Sequence, residues 1–165
     1  MANKKIDLRP HYPFAYCSEG MEFGCKHLLY YRRKEKAMHI LYEAAEYVYI
    51  DSDAEDWELT IQIADEDAKL LEEVFGLFME SYQIFSRDEG NVWYICDGYV
   101  CTVICGKKRV HYDGPFGQEP FGSFGDLMNY IITLKDDDCQ TDIQGIIKSA
   151  KVVKAQLEEY INHNK

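Results

Sequence analysis

The sequence predicts an α+β fold, a single domain in which an antiparallel sheet packs with about four helices. Three observations predict it. Residues 57–64 alternate apolar and polar side chains as a half-buried strand does. Residues 91–112 break into short β-branched and aromatic runs around the dipeptides Asp97-Gly98 and Gly106-Lys107, which suit two-residue hairpin turns. Three long segments carry apolar stripes at helical spacing. The 165 residues are the usual size of one domain, and no linker or repeat divides them.

Taken in order, residues 1–10 are open to flexibility. Pro10, Pro13, Gly20 and Gly24 make the first 26 residues irregular, with one short strand at 14–17. HLLYYRR at 27–33 reads as a strand. From 35 to 48 the positions Ala37, Ile40, Leu41, Ala44, Ala45 and Val48 recur at helical spacing, so a helix is expected, although its bases precede its acids against the helix dipole. After the 57–64 strand, Asp65 caps a helix over 65–84 with the stripe Leu70, Leu71, Val74, Phe75, Phe78 and Tyr82. Glu66, Glu73 and Glu80 lie seven apart on its opposite face.

Residues 91–112 are then a three-stranded meander, 92–96, 99–105 and 108–112, at the centre of the sheet. GPFGQEPFGSFG at 114–125 is the clearest loop. Ser123 is expected to cap a helix over 123–134, and Thr141-x-x-Gln144 opens a last helix over 141–162 as a capping box.

The chemistry-bearing residues mostly read as structure. Cys96, Cys101 and Cys105 share one strand face, but Cys101 and Cys105 stand roughly 13 Å apart at ~3.3 Å per residue, too far for one zinc. The nearest histidine, His111, pairs with Thr102 and falls on the other face, so these thiols are read as core. Cys17, Cys25 and His27, with His11 nearby, lack the short Cys-x2–4-Cys knuckle of specific zinc sites. They remain the basis of one alternative reading, a small metal protein or enzyme. The acidic run from Asp51 fails as a calcium loop, with Asp56 where Gly is required and Gln62 where Glu is required. No nucleophile elbow, phosphate loop or dinucleotide fingerprint is present, so no cofactor is expected. No apolar run approaches the length of a signal peptide or membrane span, and the chain reads as cytoplasmic, with reduced thiols.

Charge is the most informative feature. Residues 51–90 hold thirteen Asp/Glu against two Lys/Arg, while the whole chain carries −11. A single-sign field of this kind repels itself and suits the steering of a partner of opposite sign, and it disfavours direct nucleic-acid binding. The leading expectation is therefore a non-enzymatic binding module that engages a basic protein surface through Asp51, Asp53, Glu55, Asp56, Trp57, Glu58, Glu66, Asp67, Glu73 and Glu80. Tyr47, Tyr49 and Trp57 would supply aromatic anchors. An inhibitor, an immunity or anti-defence protein, or a nucleic-acid mimic would each use such a face. A structural homodimer is the third reading, because the 91–105 hairpin is apolar on both faces and needs a cover.

Overall fold

In the computed structural model, structure is described for residues 6–20, 25–44, 55–88, 99–114, 118–134 and 142–165. These hold the strands β1 (Ala15–Gly20), β2 (Lys26–Arg32), β3 (Ala37–Glu43), β4 (Trp57–Gln62), β5 (Tyr99–Cys105) and β6 (Lys108–Gly114), and the helices α1 (Asp65–Asp88), α2 (Phe121–Ile132) and α3 (Ile143–His163). All six strands form one antiparallel sheet in the order β4-β3-β2-β1-β5-β6. The α+β architecture expected from the sequence is the one observed, with three helices rather than four among the described residues.

The missing helix is β3. Residues 37–43, expected to be helical, pair with β2 from Arg32↔Ala37 to Lys26↔Glu43. Both faces of β3 are largely apolar, Met38 and Ile40 on one and Ala37 and Leu41 on the other, so the two-residue period is hidden and Ala37, Ile40 and Leu41 mimic a helical stripe. The turn that delivers it, 33–36, closes with Lys36 N–H donating to Arg33 O (3.2 Å) and holds Lys36 at φ 50°. Glycine or asparagine usually marks that left-handed position, and here a lysine takes it.

The expected meander is also corrected. Residues 99–105 and 108–114 form the hairpin in the anticipated register, with Cys105↔Lys108 flanking Gly106 at φ 62°. Residues 91–98 lie outside the described residues. The flank of β5 assigned to them is occupied by β1, from Ala15↔Ile104 to Gly20↔Tyr99. The short strand read at 14–17 is thus part of a longer central one, β1, which buries both of its faces.

Strand alternation divides the sheet into two faces. Phe14, Tyr16, Leu29, Met38, Ile40 and Val103 point to the helices and join one core with Leu71, Phe75, Phe78, Phe124, Met128 and Leu157. α1 lies against β5 and β6 and α2 against β2, while α3 packs chiefly on α1 and α2 as an outer layer. The other face buries Ala15, Cys17, Leu28, Tyr30 and Ile104, and residues 6–13 cross it as a strap with Tyr12, Ile6 and Leu8 packed down. Arg109 Nη2 donates to the carbonyls of Arg9 (2.9 Å) and Pro10 (3.2 Å), Gly106 N–H donates to Tyr12 O (2.9 Å), and Ile6 N–H donates to Glu43.

The glycine-rich loop is shorter than expected, since α2 already starts at Phe121. Ser123 is not its cap. Its N–H and hydroxyl both donate to the Glu119 carboxylate (3.2 and 2.5 Å), so a glutamate two residues before the helix satisfies the first-turn donor instead. At α3 the cap is Asp142, which accepts from Gly145 N–H (2.9 Å); Thr141 lies outside the described residues.

Candidate partner-binding edge

The acids expected to form one surface are sorted by the fold into three groups. Asp51 and Asp53, with Tyr47 and Tyr49, lie outside the described residues. A second group is neutralised from within. Arg33 reaches Glu72 at 2.6 Å, Lys36 reaches Asp65 at 3.2 Å, and Lys154 of α3 reaches Glu73 at 2.9 Å. Asp56 differs, meeting no lysine or arginine among the described residues: its exposed carboxylate accepts the Ala44 N–H at 2.8 Å, tying β3 to the approach of β4. The basic run at 32–36 sits beside the start of α1 because the β2–β3 turn and the β4–α1 junction lie at one end of the sheet: Ile63 N–H donates to Lys36 O (3.0 Å).

The third group comprises Glu55, Glu66, Asp67 and Glu80, which make no ion pair among the described residues. Three of these bracket β4. Glu55, followed by Asp56, precedes the strand, and Glu66 and Asp67 follow it in the first turn of α1, where the helix dipole favours carboxylates. Glu58 lies between them. Six residues of strand span about 20 Å, so the edge is acidic at both ends, with Glu58 at the second position of the strand. Glu80 stands apart, about 20 Å further along α1 at 1.5 Å per residue. The structure therefore places Glu55, Asp56, Trp57, Glu58, Glu66 and Asp67 along β4 or at its two ends, and Glu73 and Glu80 further along α1.

Trp57 is half-buried and points to the helix side of the sheet, where it packs against the core. Its ring stacks on Tyr42 at 5.7 Å, and His27 meets both, at 4.7 Å from Tyr42 and 6.1 Å from Trp57. The cross-strand register explains the cluster, since Tyr42 pairs with Trp57 and His27 with Tyr42.

On the strap face, β4 is coupled to a histidine that the sequence reading passed over. His39 is buried and stacks on Tyr30 at 4.9 Å. Its Nε2 lies 2.5 Å from Glu35 Oε2, and its Nδ1 lies 3.1 Å from Thr60 Oγ1 and 3.9 Å from Glu58 Oε1. Arg32 lies over the same Tyr30 ring at 5.3 Å. Once β3 is recognised as a strand, the direct pairing of His39 with Thr60 follows from register. The same Thr–His pairing recurs beside the opposite edge, where Thr102 Oγ1 and His111 Nδ1 are 2.9 Å apart, as expected from the Gly106-Lys107 turn.

The thiols are placed as structural groups. Burial pushes the Cys17 thiol up to about 12 and also raises Cys101 and Cys105, the reverse of what a reactive thiolate requires. Cys101 Sγ lies 3.4 Å from the Tyr16 hydroxyl on the helix side. Cys17, Cys25 and His27 are not assembled. Cys17 pairs with Leu28 on the strap face, whereas His27 pairs with Ser18 on the helix face. Among the described residues no three metal-ligating side chains converge, and no helix is long and apolar enough to cross a membrane. Comparison with protein-family models, with curated proteins and with solved structures finds no match.

Proposed function

We propose that this chain is a non-enzymatic binding module that captures a basic protein segment on the acidic β4 edge. One observation carries this reading: where other acids of the 51–90 region meet internal lysines and arginines, those bracketing β4 meet none among the described residues, Glu55 and Asp56 next to the Trp57–Tyr42–His27 cluster and Glu66 and Asp67 past the far end of the strand. Carboxylates steer and orient a cationic partner, and a half-buried aromatic gives it an anchor. Inhibition of a basic enzyme, immunity or anti-defence activity and nucleic-acid mimicry are all uses to which such an edge can be put.

The test is binding of a fluorescent lysine- and arginine-rich peptide at low salt. Reversing Glu55, Asp56 and Glu58 to Lys is expected to weaken it at least about tenfold, as loss of several charge contacts should. Glu80→Lys, distant on α1, serves as the control and is expected to change it little. Equal binding by the triple reversal and the native protein would sink the reading.

A further inference from the structure

We infer that the partner segment binds in extended form, as a seventh strand hydrogen-bonded to the outer edge of β4. This inference rests on the acidic-edge reading above and specifies its geometry. β4 is the terminal strand of the sheet, and among the described residues no strand lies beyond it.

The backbone of β4 is already oriented for addition. Ile63 N–H donates to Lys36 O (3.0 Å), which makes 36↔63 a hydrogen-bonded pair of the β3–β4 ladder. In an antiparallel ladder such pairs alternate with non-bonded ones, so Met38↔Ile61, Ile40↔Leu59 and Tyr42↔Trp57 are bonded inward. The N–H and C=O groups of Glu58, Thr60 and Gln62 consequently point outward, away from β3. They form a row of donors and acceptors of the kind that β-strand addition uses.

Natural edges are commonly guarded by proline, lysine, bulges or a covering element. WELTIQ contains neither proline nor lysine, and its register with β3 is unbroken over six pairs. Its one charged residue is Glu58. A carboxylate there, with Glu55 and Asp56 before it and Glu66 and Asp67 after it, repels a second acidic strand. That disfavours edge-to-edge pairing of two copies of a chain carrying −11, yet it attracts a cationic strand. The charge pattern thus selects a basic segment of another protein over self-association.

Alternation also specifies the segment. Residues of the added strand opposite Glu58, Thr60 and Gln62 fall on the strap face, where lysine or arginine would meet Glu58. Those opposite Trp57, Leu59 and Ile61 fall on the helix face, where Trp57 and Leu59 are partly buried against the core and an apolar side chain would extend it. The class of ligand is an extended segment alternating cationic and apolar residues.

The experiment uses the full chain and a fluorescent peptide of about 12 residues alternating lysine and valine, measured by anisotropy alongside two derivatives N-methylated at every second residue in opposite phase. N-methylation in one phase removes the donors that face β4 and is expected to weaken binding at least about tenfold, the loss of one or more net hydrogen bonds. The other phase faces solvent and is expected to leave binding nearly unchanged. On the protein side, Thr60→Pro deletes one outward N–H without touching the bonds of Leu59 and Ile61 to β3, and is expected to weaken binding. Thr60→Val, which keeps the N–H and loses the hydroxyl, is expected to weaken binding less than Thr60→Pro does. Circular dichroism and melting of Thr60→Pro establish that it is folded, and the two peptides serve if it is not.

Equal binding of both methylated peptides and the parent overturns strand addition. If the triple charge reversal still weakens binding in that case, the acidic-edge reading survives without it. If neither responds, both fail. Light scattering that shows a dimer dispersed by Thr60→Pro and unable to take the peptide would instead assign the edge to a second copy.

Discussion

The two faces of the sheet are closed by different means. Three helices seal one face around interlocking rings, with Phe14 against Phe75 at 5.0 Å and Phe78 stacked on Phe124 at 4.1 Å. A strap of irregular chain, residues 6–13, closes the other, held by Tyr12 on Tyr30 at 4.9 Å and a few hydrogen bonds to carbonyls. Polar groups lie on both faces, with Ser18 and His27 on the helix side. The strap face carries His39, Glu35, Thr60, Glu58, Thr102 and His111, all within a row or two of a sheet edge. The molecule gives more readily on the strap side. The helix face holds most of the buried apolar area and so most of the stability, while the strap face can open locally at far smaller cost and lies next to the acidic edge.

The sharpest way to break this contrast is at its stronger side. Phe78 is fully buried, central to the ring cluster, and in contact with Phe124, Phe121, Tyr82 and Tyr112. Phe78→Ala is expected to cost about 3–5 kcal/mol through lost transfer energy and the cavity left behind. Equilibrium denaturation measures it. A loss below about 1 kcal/mol would mean the site collapses around the truncation, and that the helix face is not the main source of stability.

How much of this division was legible in sequence depends on the residue. α1 and α3 announced themselves through one-sided stripes, β4 through strict alternation, and the β5–β6 hairpin through Gly106, down to the Thr102–His111 pair. β3 did not, because a strand buried on both faces has no alternation to display, and its turn places Lys36 where a glycine would have given it away. β1 showed in part, as the short strand read at 14–17, and only its place in the sheet stayed hidden. Its neighbours in the sheet are β2 and β5, the latter some 85 residues further along the chain (Tyr16 and Cys101 touch across that separation), and no local pattern encodes such a pairing. Charge was legible as a total and not as a surface. Counting thirteen acids at 51–90 could not show that Glu72, Asp65 and Glu73 are answered by Arg33, Lys36 and Lys154, which only the fold brings beside them.

A second prediction probes the strap face through alkali. Cys17 sits beneath the strap, and burial raises its thiol from an ordinary value of 9.0 to about 12. Below pH 9 the thiol is neutral in both the folded and the unfolded chain, and its contribution is fully present. Between pH 9 and 12 the unfolded chain sheds this proton while the folded chain keeps it. Unfolding is then favoured, by about 1.4 kcal/mol per pH unit at most. Denaturation midpoints followed from pH 8 to 10.5 should fall with pH, and Cys17→Ala should fall less steeply. Parallel slopes for the two proteins would show that the strap leaves Cys17 accessible to water in the folded state.

The smallest effect tests the strap's tether. Arg109 holds the carbonyls of Arg9 and Pro10 from the β6 edge, and the next hydrogen bond along, Gly106 N–H to Tyr12 O, reports whether the strap is down. Arg109 is exposed, so Arg109→Ala is expected to cost about 1 kcal/mol or less. That loss should be local. Hydrogen exchange of the Gly106 amide should quicken by up to about fivefold, the factor that 1 kcal/mol represents at room temperature, while amides of β2 in the middle of the sheet keep their native rates. Equal acceleration at Gly106 and in β2 would mean that strap and sheet open as one unit. The two faces would then differ in how they are covered but not in how they come apart.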